Sequence, residues 1–480
     1  KGELVRRVLA GLAVLVAVAL AYAVGDVYDV VPGILTRDRP IVIPTATSTS
    51  GAHAVAFPAP DAMILPLAPA GTTSPVPTTA GLTALLRHAL AEPALGASVG
   101  VEIRDALTGD TLYTHQAQTP RLAASTQKML AAAAITSTTD LSRTMTTRVV
   151  GEGLGQIALV AGGDTMLARG AGDPFTAPGR AGLGDLAAQV AGALRAAGET
   201  KVSLRLDLSY AAGPAYAPAW QMADVHAGAT QGVFMIGLAD ERPEIGHASP
   251  PDPPSSVAKA FVKDLAGSGI TATLTPRKTW ATAAPAAAPE FGSVSSAPVG
   301  EVLSTALDDS DNALTENLTR QAAVGKGGPA TFAGATAYQT TALKALAVDL
   351  AGVSLSDASG LSRTQHVSVR AIADVMALAT TGRLPGLQQI VAELPVAGLT
   401  GTLHDRFEGT GARQVAGIPR SKTGTLIGSS GMAGTTVDTD GRLLSYVMVA
   451  DHVPASQGTL AARAALDRLV AGLTACGCRS

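Results

Sequence analysis

The segment Ser125-Thr-Gln-Lys-Met-Leu-Ala-Ala-Ala-Ala134 places a serine and a lysine three residues apart where a helix-forming run begins. A helical i, i+3 spacing brings the two side chains onto one face, one turn apart. The lysine can then take the proton of the serine hydroxyl, provided that burial and neighbouring charge lower the pKa of its amine. A helix-capping serine followed by a surface lysine has the same spacing, so the chemistry needs support from the rest of the chain.

Two further motifs supply that support. Ser310-Asp-Asn312 falls between two predicted helices, where it can present side chains, although it also suits helix capping. Lys422-Thr-Gly424 opens a predicted edge strand, and its glycine lets a ligand approach the backbone. S-x-x-K recurs at Ser256-Val-Ala-Lys259, whereas S-x-N and K-T-G occur once each. The ordered triplet is therefore the informative pattern, and it is the set that certain serine acyl-transfer enzymes use.

A competing pattern, Gly96-Ala-Ser98-Val-Gly100, matches the G-x-S-x-G nucleophile elbow of other hydrolases. An elbow places its serine on a turn between a strand and a helix. Here the serine opens the strand-like run Val99-Gly-Val-Glu-Ile103. We therefore interpret Ser98 as the start of a strand.

Length and composition restrict the class of protein. The 480 residues exceed one ordinary core, and 47% hydrophobic with 15% charged residues is typical of a globular chain. A net charge of −3 and 3% aromatic residues argue against nucleic acid as a partner. The eight histidines are scattered, and Cys476 and Cys478 lack two further ligands for zinc. We expect neither a metal nor a cofactor, and for the two cysteines a local, structurally minor role such as a disulfide between them.

The first residues of the chain have the features of an exported protein. Residues 8–25 contain no charge and follow Lys1, Arg6 and Arg7, which predicts a positive-inside segment just long enough to span a bilayer. Ala21-Tyr-Ala23 resembles a signal-peptide cleavage site, so an uncleaved anchor and a cleaved signal both stay open, and we favour the anchor. Either interpretation predicts an extracytoplasmic protein, tethered to the membrane by residues 8–25 or secreted after cleavage.

Changes in composition predict the domain organisation. Residues 1–38 hold the anchor or signal segment, and residues 39–80 form a linker rich in Pro, Ser and Thr. Residues 81–140 and 290–480 form one domain, in which strands near both ends build one antiparallel sheet flanked by helices. Residues 141–289, where strand-like and helix-like runs alternate, form a single inserted α+β domain. The predicted fold class is α/β (α+β).

The individual elements follow from periodicity and turn signals. The predicted strands lie at residues 98–104, 112–115, 156–161, 202–208, 271–275, 422–427, 434–438 and 443–450. The predicted helices lie at residues 82–91, 186–197, 257–265, 302–307, 313–323, 369–379 and 456–473.

From about residue 81 onward, the chain resembles the D-alanyl-D-alanine carboxypeptidase/endopeptidase group of low-molecular-mass (class C) penicillin-binding proteins, in its membrane-anchored actinobacterial form. Beyond the triplet, the resemblance rests on several stretches: Ile103-Arg-Asp-Ala-Leu-Thr-Gly109, Gly162-Gly-Asp-Thr165, Asp207-Leu-Ser-Tyr210, Pro218-Ala-Trp220, Ala358-Ser-Gly-Leu-Ser-Arg363, Leu394-Pro-Val-Ala-Gly398, Lys422-Thr-Gly-Thr-Leu426 and the Cys-Gly-Cys tail. It implies a penicillin-binding transpeptidase/β-lactamase-like fold. Members carry an insertion between the first and second motifs, as here, and β-lactamases do not. The insertion is shorter than in members with two added domains, so we predict one.

The resemblance implies the catalytic roles. Ser125 would be the acylated nucleophile, and Lys128 would be its base. Ser310 would relay a proton between Lys128 and the leaving amine. The side-chain amide of Asn312 would bind both a substrate amide group and Lys128.

It also implies how substrate is bound. Lys422 and Thr423 would recognise a C-terminal carboxylate, beside Gly424. The N–H groups of Ser125 and Thr425 would form the oxyanion hole.

These expectations lead to one preferred function and two alternatives. The preferred function is a serine-type D-Ala-D-Ala carboxypeptidase/endopeptidase that acts on peptidoglycan stem peptides or cross-linked muropeptides and is inhibited covalently by β-lactams. A β-lactamase or esterase on the same fold is disfavoured by the insertion and by the lack of an evident extra deacylating carboxylate. A non-catalytic envelope-binding protein is disfavoured because every motif residue is present.

Overall fold

The computed structural model describes residues 73–479. The predicted anchor or signal segment at residues 8–25, and all but the last residues of the predicted linker at 39–80, lie outside this range. Within residues 73–479, none of the helices has the length and apolar character needed to cross a membrane.

Strands occur near both ends of the described chain and again between the first and second motifs. They are β1 (Ser98–Asp105), β2 (Thr111–His115), β3 (Pro120–Arg121), β4 (Thr146–Gly153), β5 (Gln156–Val160), β6 (Lys201–Asp207), β7 (Thr271–Leu274), β8 (Glu290–Ser295), β9 (Val367–Ser368), β10 (Arg420–Leu426), β11 (Ser429–Val437) and β12 (Leu443–Asp451).

The α-helices are distributed between Thr79 and Thr474. They are α1 (Thr79–Leu90), α2 (Lys128–Thr138), α3 (Leu183–Ala196), α4 (Met222–His226), α5 (Pro253–Gly267), α6 (Val299–Asp308), α7 (Asn312–Gly325), α8 (Phe332–Ala345), α9 (Val369–Thr380), α10 (Pro385–Ala392) and α11 (Gly458–Thr474).

The first sheet has the strand order β10-β11-β12-β1-β2, and each neighbouring pair is antiparallel. Residues of β12 alternate between two cores: Val447 and Val449 pack in the core that contains α2 and α9, while Met448 packs with α1 and α11 on the other side. This period of two is what a sheet covered on both faces requires. The predicted antiparallel sheet built from both ends of the chain is thereby confirmed.

The second sheet has the order β7-β6-β5-β4-β8. Strands β5, β6 and β7 run parallel and are connected through α3 and α5, whereas β4 pairs antiparallel with β5 and β8. Leu186 and Val190 of α3 and Phe261 of α5 fill the core on this sheet. The edge strand β8 lies at Glu290–Ser295, just beyond residue 289, where the predicted insertion ends.

The C-terminal tail closes onto the first helix. Cys476 and Cys478 form a disulfide with their Cα atoms 5.1 Å apart. The carbonyl of Cys478 accepts a hydrogen bond of 2.8 Å from the backbone N–H of Thr78, which caps α1. The local disulfide is therefore as predicted, but the tail also fastens the two ends of the described chain together.

Candidate active site

Ser125 lies in a 3₁₀ turn, Ala124–Gln127, and the α-helix begins only at Lys128. The sequence predicted that the serine opens the helix, so this detail is corrected. A 3₁₀ turn places residues i and i+3 directly above one another. Lys128 Nζ accordingly donates a hydrogen bond of 2.8 Å to Ser125 Oγ.

Lys128 is fully buried, and its amine is held from three directions. Besides Ser125 Oγ, it donates to Asn312 Oδ1 and, at 2.8 Å, to the carbonyl of Ser359. Burial lowers the pKa of Lys128 to about 8, although nearby carboxylates, chiefly that of Asp357, partly oppose the shift. About a tenth of the amines are then neutral at pH 7, far more than for an exposed lysine.

The second motif forms the junction between α6 and α7. Ser310 adopts a left-handed backbone with φ of 57° and borders the cavity. Asp311 caps α7 by accepting a hydrogen bond of 2.9 Å from Leu314 N. Asn312 is the first residue of α7, and while its Oδ1 meets Lys128, its Nδ2 donates at 2.6 Å to the carbonyl of Ala229. The amide of Asn312 is thus oriented at both ends.

The third motif lies on β10, and its lysine does not reach the cavity. Lys422 is fully buried, and its Nζ donates at 3.0 Å to the carbonyl of Thr423. Burial, reinforced by the charge of Lys128, lowers the pKa of Lys422 well below its usual value, against the opposing charges of Asp308 and Asp309. Thr423 and Thr425 border the cavity instead.

Gly424 brings β10 directly against the turn that carries Ser125. A Cβ atom at this position would lie 2.7 Å from the carbonyl oxygen of Ala123 and 2.9 Å from Thr126 N. Both distances are shorter than a carbon side chain tolerates. The glycine therefore sets how closely the two motifs can approach.

The predicted residues Ser125, Ser310, Asn312, Thr423 and Thr425 line one cavity of about 920 Å³. Lys128 and Lys422 lie buried behind its wall. The second S-x-x-K sequence, Ser256-Val-Ala-Lys259, lies on α5, and neither Ser256 nor Lys259 lines this cavity.

Several residues of the cavity wall were missed by sequence reasoning. They come from three loops and the last helix: Gly228, Ala229, Arg242, Glu244, Gly360, Leu361, Thr402, His404, Arg406 and Arg463. For Gly360 and Leu361, the stretch at residues 358–363 was recognised as similar to the family, which was a usable signal. The others carry no motif, and only the fold brings them to the cavity.

Two other sequence interpretations concern alternative chemistry. Ser98 opens β1 and its Oγ donates at 2.5 Å to Asp451 Oδ1, so it is a strand residue, as predicted. Among residues 73–479, histidine, cysteine, aspartate and glutamate form no group suited to a metal ion.

Residues 82–234 and 243–473 match the D-Ala-D-Ala carboxypeptidase 3 (S13) family. The chain belongs to this family. Its membership confirms the predicted family and enzyme class: the protein is a serine D-Ala-D-Ala carboxypeptidase, a hydrolase that acts on peptidoglycan.

Two mycobacterial carboxypeptidases are similar to the chain over most of its length. Carboxypeptidase DacB of Mycolicibacterium smegmatis is 33% identical over 442 residues, which cover 90% of this chain and 93% of the relative. Carboxypeptidase Rv3627c of Mycobacterium tuberculosis is 33% identical over 428 residues, covering 88% and 89%.

A solved structure shows the same fold. Penicillin binding protein 4 (dacB) from Haemophilus influenzae superimposes with a TM-score of 0.63, covering 81% of this chain and 98% of that protein at 17% sequence identity. The mixed α/β fold with helices flanking its sheets is therefore shared with a penicillin-binding protein.

Proposed function

We propose that this carboxypeptidase removes the terminal D-alanine of peptidoglycan stem peptides through an acyl-enzyme on Ser125. The observation that carries the proposal is the contact of 2.8 Å between Lys128 Nζ and Ser125 Oγ, made by an amine whose burial lowers its pKa to about 8. A lysine in this state accepts a proton near neutral pH and thereby activates a serine hydroxyl.

In the acylation step, neutral Lys128 takes the hydroxyl proton while Ser125 Oγ bonds to the carbonyl carbon of the scissile amide. The N–H groups of Ser125 and Thr425 stabilise the negative oxygen of the tetrahedral intermediate. The C–N bond then breaks, and the leaving amine of D-alanine receives the proton from Lys128 through the hydroxyl of Ser310. Asn312 orients both the substrate amide and the lysine.

In the deacylation step, water attacks the ester carbonyl. Lys128 takes a proton from the water as its oxygen bonds to the carbonyl carbon. The bond to Ser125 Oγ breaks, and the proton passes to that oxygen. β-Lactams present a reactive cyclic amide to the same serine, so we propose that they acylate Ser125 as well.

Recognition of the terminal carboxylate is assigned to Thr423, with Lys422 acting from behind. The hydroxyl of Thr423 borders the cavity and donates at 2.9 Å to Thr402 Oγ1. The ammonium group of Lys422 donates to the carbonyl of the same Thr423. Its positive charge therefore favours an anion at Thr423 without direct exposure to the substrate.

Endopeptidase activity is a second candidate, because the cavity continues beyond Thr423. If the acyl carbonyl lies at Thr425 and the carboxylate at Thr423, the leaving group points along β10 toward Thr402. The cavity extends past this point to His404, Arg406 and Arg463. A single leaving alanine would not fill that space, whereas a second stem peptide would.

Arg463 offers a charge to such a leaving peptide. Arg406 is paired closely with Asp467, whereas the nearest carboxylate oxygen to Arg463 Nη2, on Asp405, is 3.7 Å away. Arg463 Nε is buried without a hydrogen-bond partner among the described residues. We expect Arg463→Gln to lower kcat/KM about fivefold for a cross-linked muropeptide, as loss of one partly exposed charge contact implies, and to leave pentapeptide cleavage unchanged.

The matched control for that experiment is Arg468→Gln. Arg468 is on the same helix but pairs on the surface with Glu92 at 3.1 Å. Equal rates for all three proteins on the cross-linked substrate would remove Arg463 from the proposal.

We also propose that residues 8–25 tether the enzyme to the membrane, which would place it beside peptidoglycan. The proposal is supported by the uncharged stretch and the preceding Lys1, Arg6 and Arg7. A reporter fused after residue 80 should be active only outside the cytoplasm and should sediment with membranes. Activity in the soluble culture fraction would instead indicate cleavage of the segment.

The main proposal is tested with a fluorescent penicillin and a D-alanine release assay. The label should attach once per molecule, on the peptide that contains Ser125, and Ser125→Ala should abolish both labelling and release. Ser256→Ala, in the second S-x-x-K, should behave like the native enzyme. Fast nitrocefin turnover without D-alanine release would favour a β-lactamase instead, and binding without either reaction would favour a non-catalytic protein.

A further inference from the structure

A buried carboxylate organises a loop that none of the three motifs includes. Asp357 is fully buried, and its side chain accepts five hydrogen bonds. Oδ1 accepts from Gly360 N and Gln365 Nε2, both at 2.8 Å. Oδ2 accepts from Ser362 N at 2.7 Å, from Ser362 Oγ at 2.6 Å and from Trp220 Nε1 at 2.8 Å. We call residues 357–365 the Asp357 loop.

The Asp357 loop contacts Lys128 directly. The carbonyl of Ser359 accepts the hydrogen bond of 2.8 Å from Lys128 Nζ. On the opposite side of this peptide, its N–H, which belongs to Gly360, donates at 2.8 Å to Asp357 Oδ1. The peptide is thus fixed from both sides, and its carbonyl oxygen has one orientation available.

The loop also packs against the turn that carries the nucleophile. A Cβ atom on Gly360 would lie 2.1 Å from the carbonyl oxygen of Ala124, so the two backbones are in direct contact. Gln127 Nε2 donates at 2.7 Å to the carbonyl of Asp357. A shift of the loop would therefore move both the base and its serine.

Trp220 is the donor to Asp357 that comes from the segment between the first and second motifs. It is 137 residues away from Asp357 in sequence. Its ring packs edge-on against Phe332, with ring centroids 5.3 Å apart. The other tryptophan, Trp280, is also buried, but its Nε1 has no hydrogen-bond partner among residues 73–479.

We propose that Trp220 and Asp357 are positioning residues for Lys128. The N–H of Trp220 orients the carboxylate of Asp357, the carboxylate fixes the Asp357 loop, and the carbonyl of Ser359 holds the amine toward Ser125. Through this relay, the segment between the first two motifs takes part in setting the geometry of proton transfer. The inference rests on the proposed role of Lys128 as the base.

The carboxylate has a second effect through its charge. The ionisable groups that act on Lys128 are Asp357, Asp311 and Glu316, which raise its pKa, and Lys422, which repels it. Of these three carboxylates, Asp357 raises the pKa of Lys128 the most. Removal of this charge lowers the pKa of Lys128 further.

The first experiment compares Trp220→Phe with Trp280→Phe. Both keep a buried aromatic ring, but only Trp220→Phe removes a hydrogen bond. We expect kcat for D-alanine release and the rate constant of penicillin acylation to fall about tenfold in Trp220→Phe, with KM within twofold of the native value. Trp280→Phe should retain native rates. Equal rates in the two variants would overturn the relay.

The second experiment is Asp357→Asn, read as a pH profile of acylation. The maximal rate should fall, and the acidic limb of the profile should move to lower pH because the base loses a stabilising negative charge. A loss of rate with the limb unmoved would reduce Asp357 to a structural role and contradict the inference. If Asp357→Asn does not fold, the Trp220→Phe comparison still decides.

These outcomes are separable from failure of the proposed function. If Lys128→Ala were labelled by penicillin at the native rate, Lys128 would not be the base, whatever the tryptophan variants show. If Lys128→Ala is inactive and the two tryptophan variants are equal, the base stands and the relay fails.

Discussion

Two fully buried lysines lie on different sides of the cavity, and their hydrogen-bond partners differ. Lys128 begins α2, on the side that we call the helical wall, and Lys422 lies on β10, on the side that we call the strand wall. On the helical wall, Lys128 donates to Ser125, Asn312 and Ser359. On the strand wall, Lys422 donates to the carbonyl of its neighbour Thr423, and the carboxylates that act on it, Asp308 and Asp309, border the cavity. Burial lowers the pKa of both lysines, but Lys128, unlike Lys422, donates a hydrogen bond to a hydroxyl group. Under the proposed function, equal burial serves proton transfer on one wall and attraction of an anion on the other.

The largest expected effect is on the helical wall. Lys128→Ala should lower kcat for D-alanine release by about 10²- to 10⁴-fold, because the general base is lost while the substrate can still bind. Rapid-quench measurement of penicillin acylation checks this directly. Lys259→Ala, at the exposed lysine of the second S-x-x-K, is the control. If the Lys128→Ala enzyme were acylated at the native rate, the assignment of proton transfer to Lys128 would be wrong.

The contact between the walls is tested next. Gly424→Ala introduces a Cβ atom 2.7 Å from the carbonyl oxygen of Ala123 and should push the strand away from the serine. A displacement of this kind typically costs about 10²-fold in rate, and we expect this loss in acylation. Gly409→Ala is the matched control, since no atom lies within 4 Å of its added Cβ. Native acylation by Gly424→Ala would mean that the walls do not need this close approach.

The strand wall alone is tested with Lys422→Ala. Loss of the buried charge should raise KM about 10- to 30-fold for a substrate that bears a carboxylate, in line with one charge-assisted contact. An uncharged thioester should be affected much less. If KM rises equally for both substrates, Lys422 has a structural or catalytic role and does not recognise the carboxylate. The proposed difference between the two walls would then be wrong.

The pH dependence separates the two lysines in the native enzyme. Lys128 must be neutral to accept a proton, so acylation should rise about tenfold per pH unit below pH 8 and level off above it. Lys422 must be charged to attract a carboxylate, so KM for the peptide should rise as Lys422 loses its proton, which its lowered pKa moves to lower pH than for an exposed lysine. The thioester should show only the limb that Lys128 sets. Stopped-flow acylation between pH 6 and 10 gives both limbs. A pH-independent acylation rate would contradict the role of Lys128.

Much of the fold was predictable because its signals are local. Strand β1 alternates in hydrophobicity and β12 is a mostly apolar run, and the predicted antiparallel sheet was correct, with β1 and β12 matched to within one residue at each end. The missed helix α8 has the sequence Phe-Ala-Gly-Ala-Thr-Ala-Tyr-Gln-Thr-Thr-Ala-Leu-Lys-Ala, in which glycine and threonine weaken helix propensity. The missed strand β4 ends in Gly151-Glu-Gly153, which reads as a turn. In both cases packing overrides local preference.

The order of the three motifs and the enzyme class could be inferred from residue identities and spacing, because covalent chemistry requires particular side chains. The same identities predict Ser125, rather than Ser98 or Ser256, as the nucleophile. The burial of Lys422 behind Thr423, the support of Lys128 by Ser359 and the contact of Trp220 with Asp357 appear only in the folded protein. They depend on segments far apart in the chain that meet in a water-excluded interior. Burial sets how far the pKa of an amine is lowered, and burial depends on the whole fold rather than on the adjacent residues.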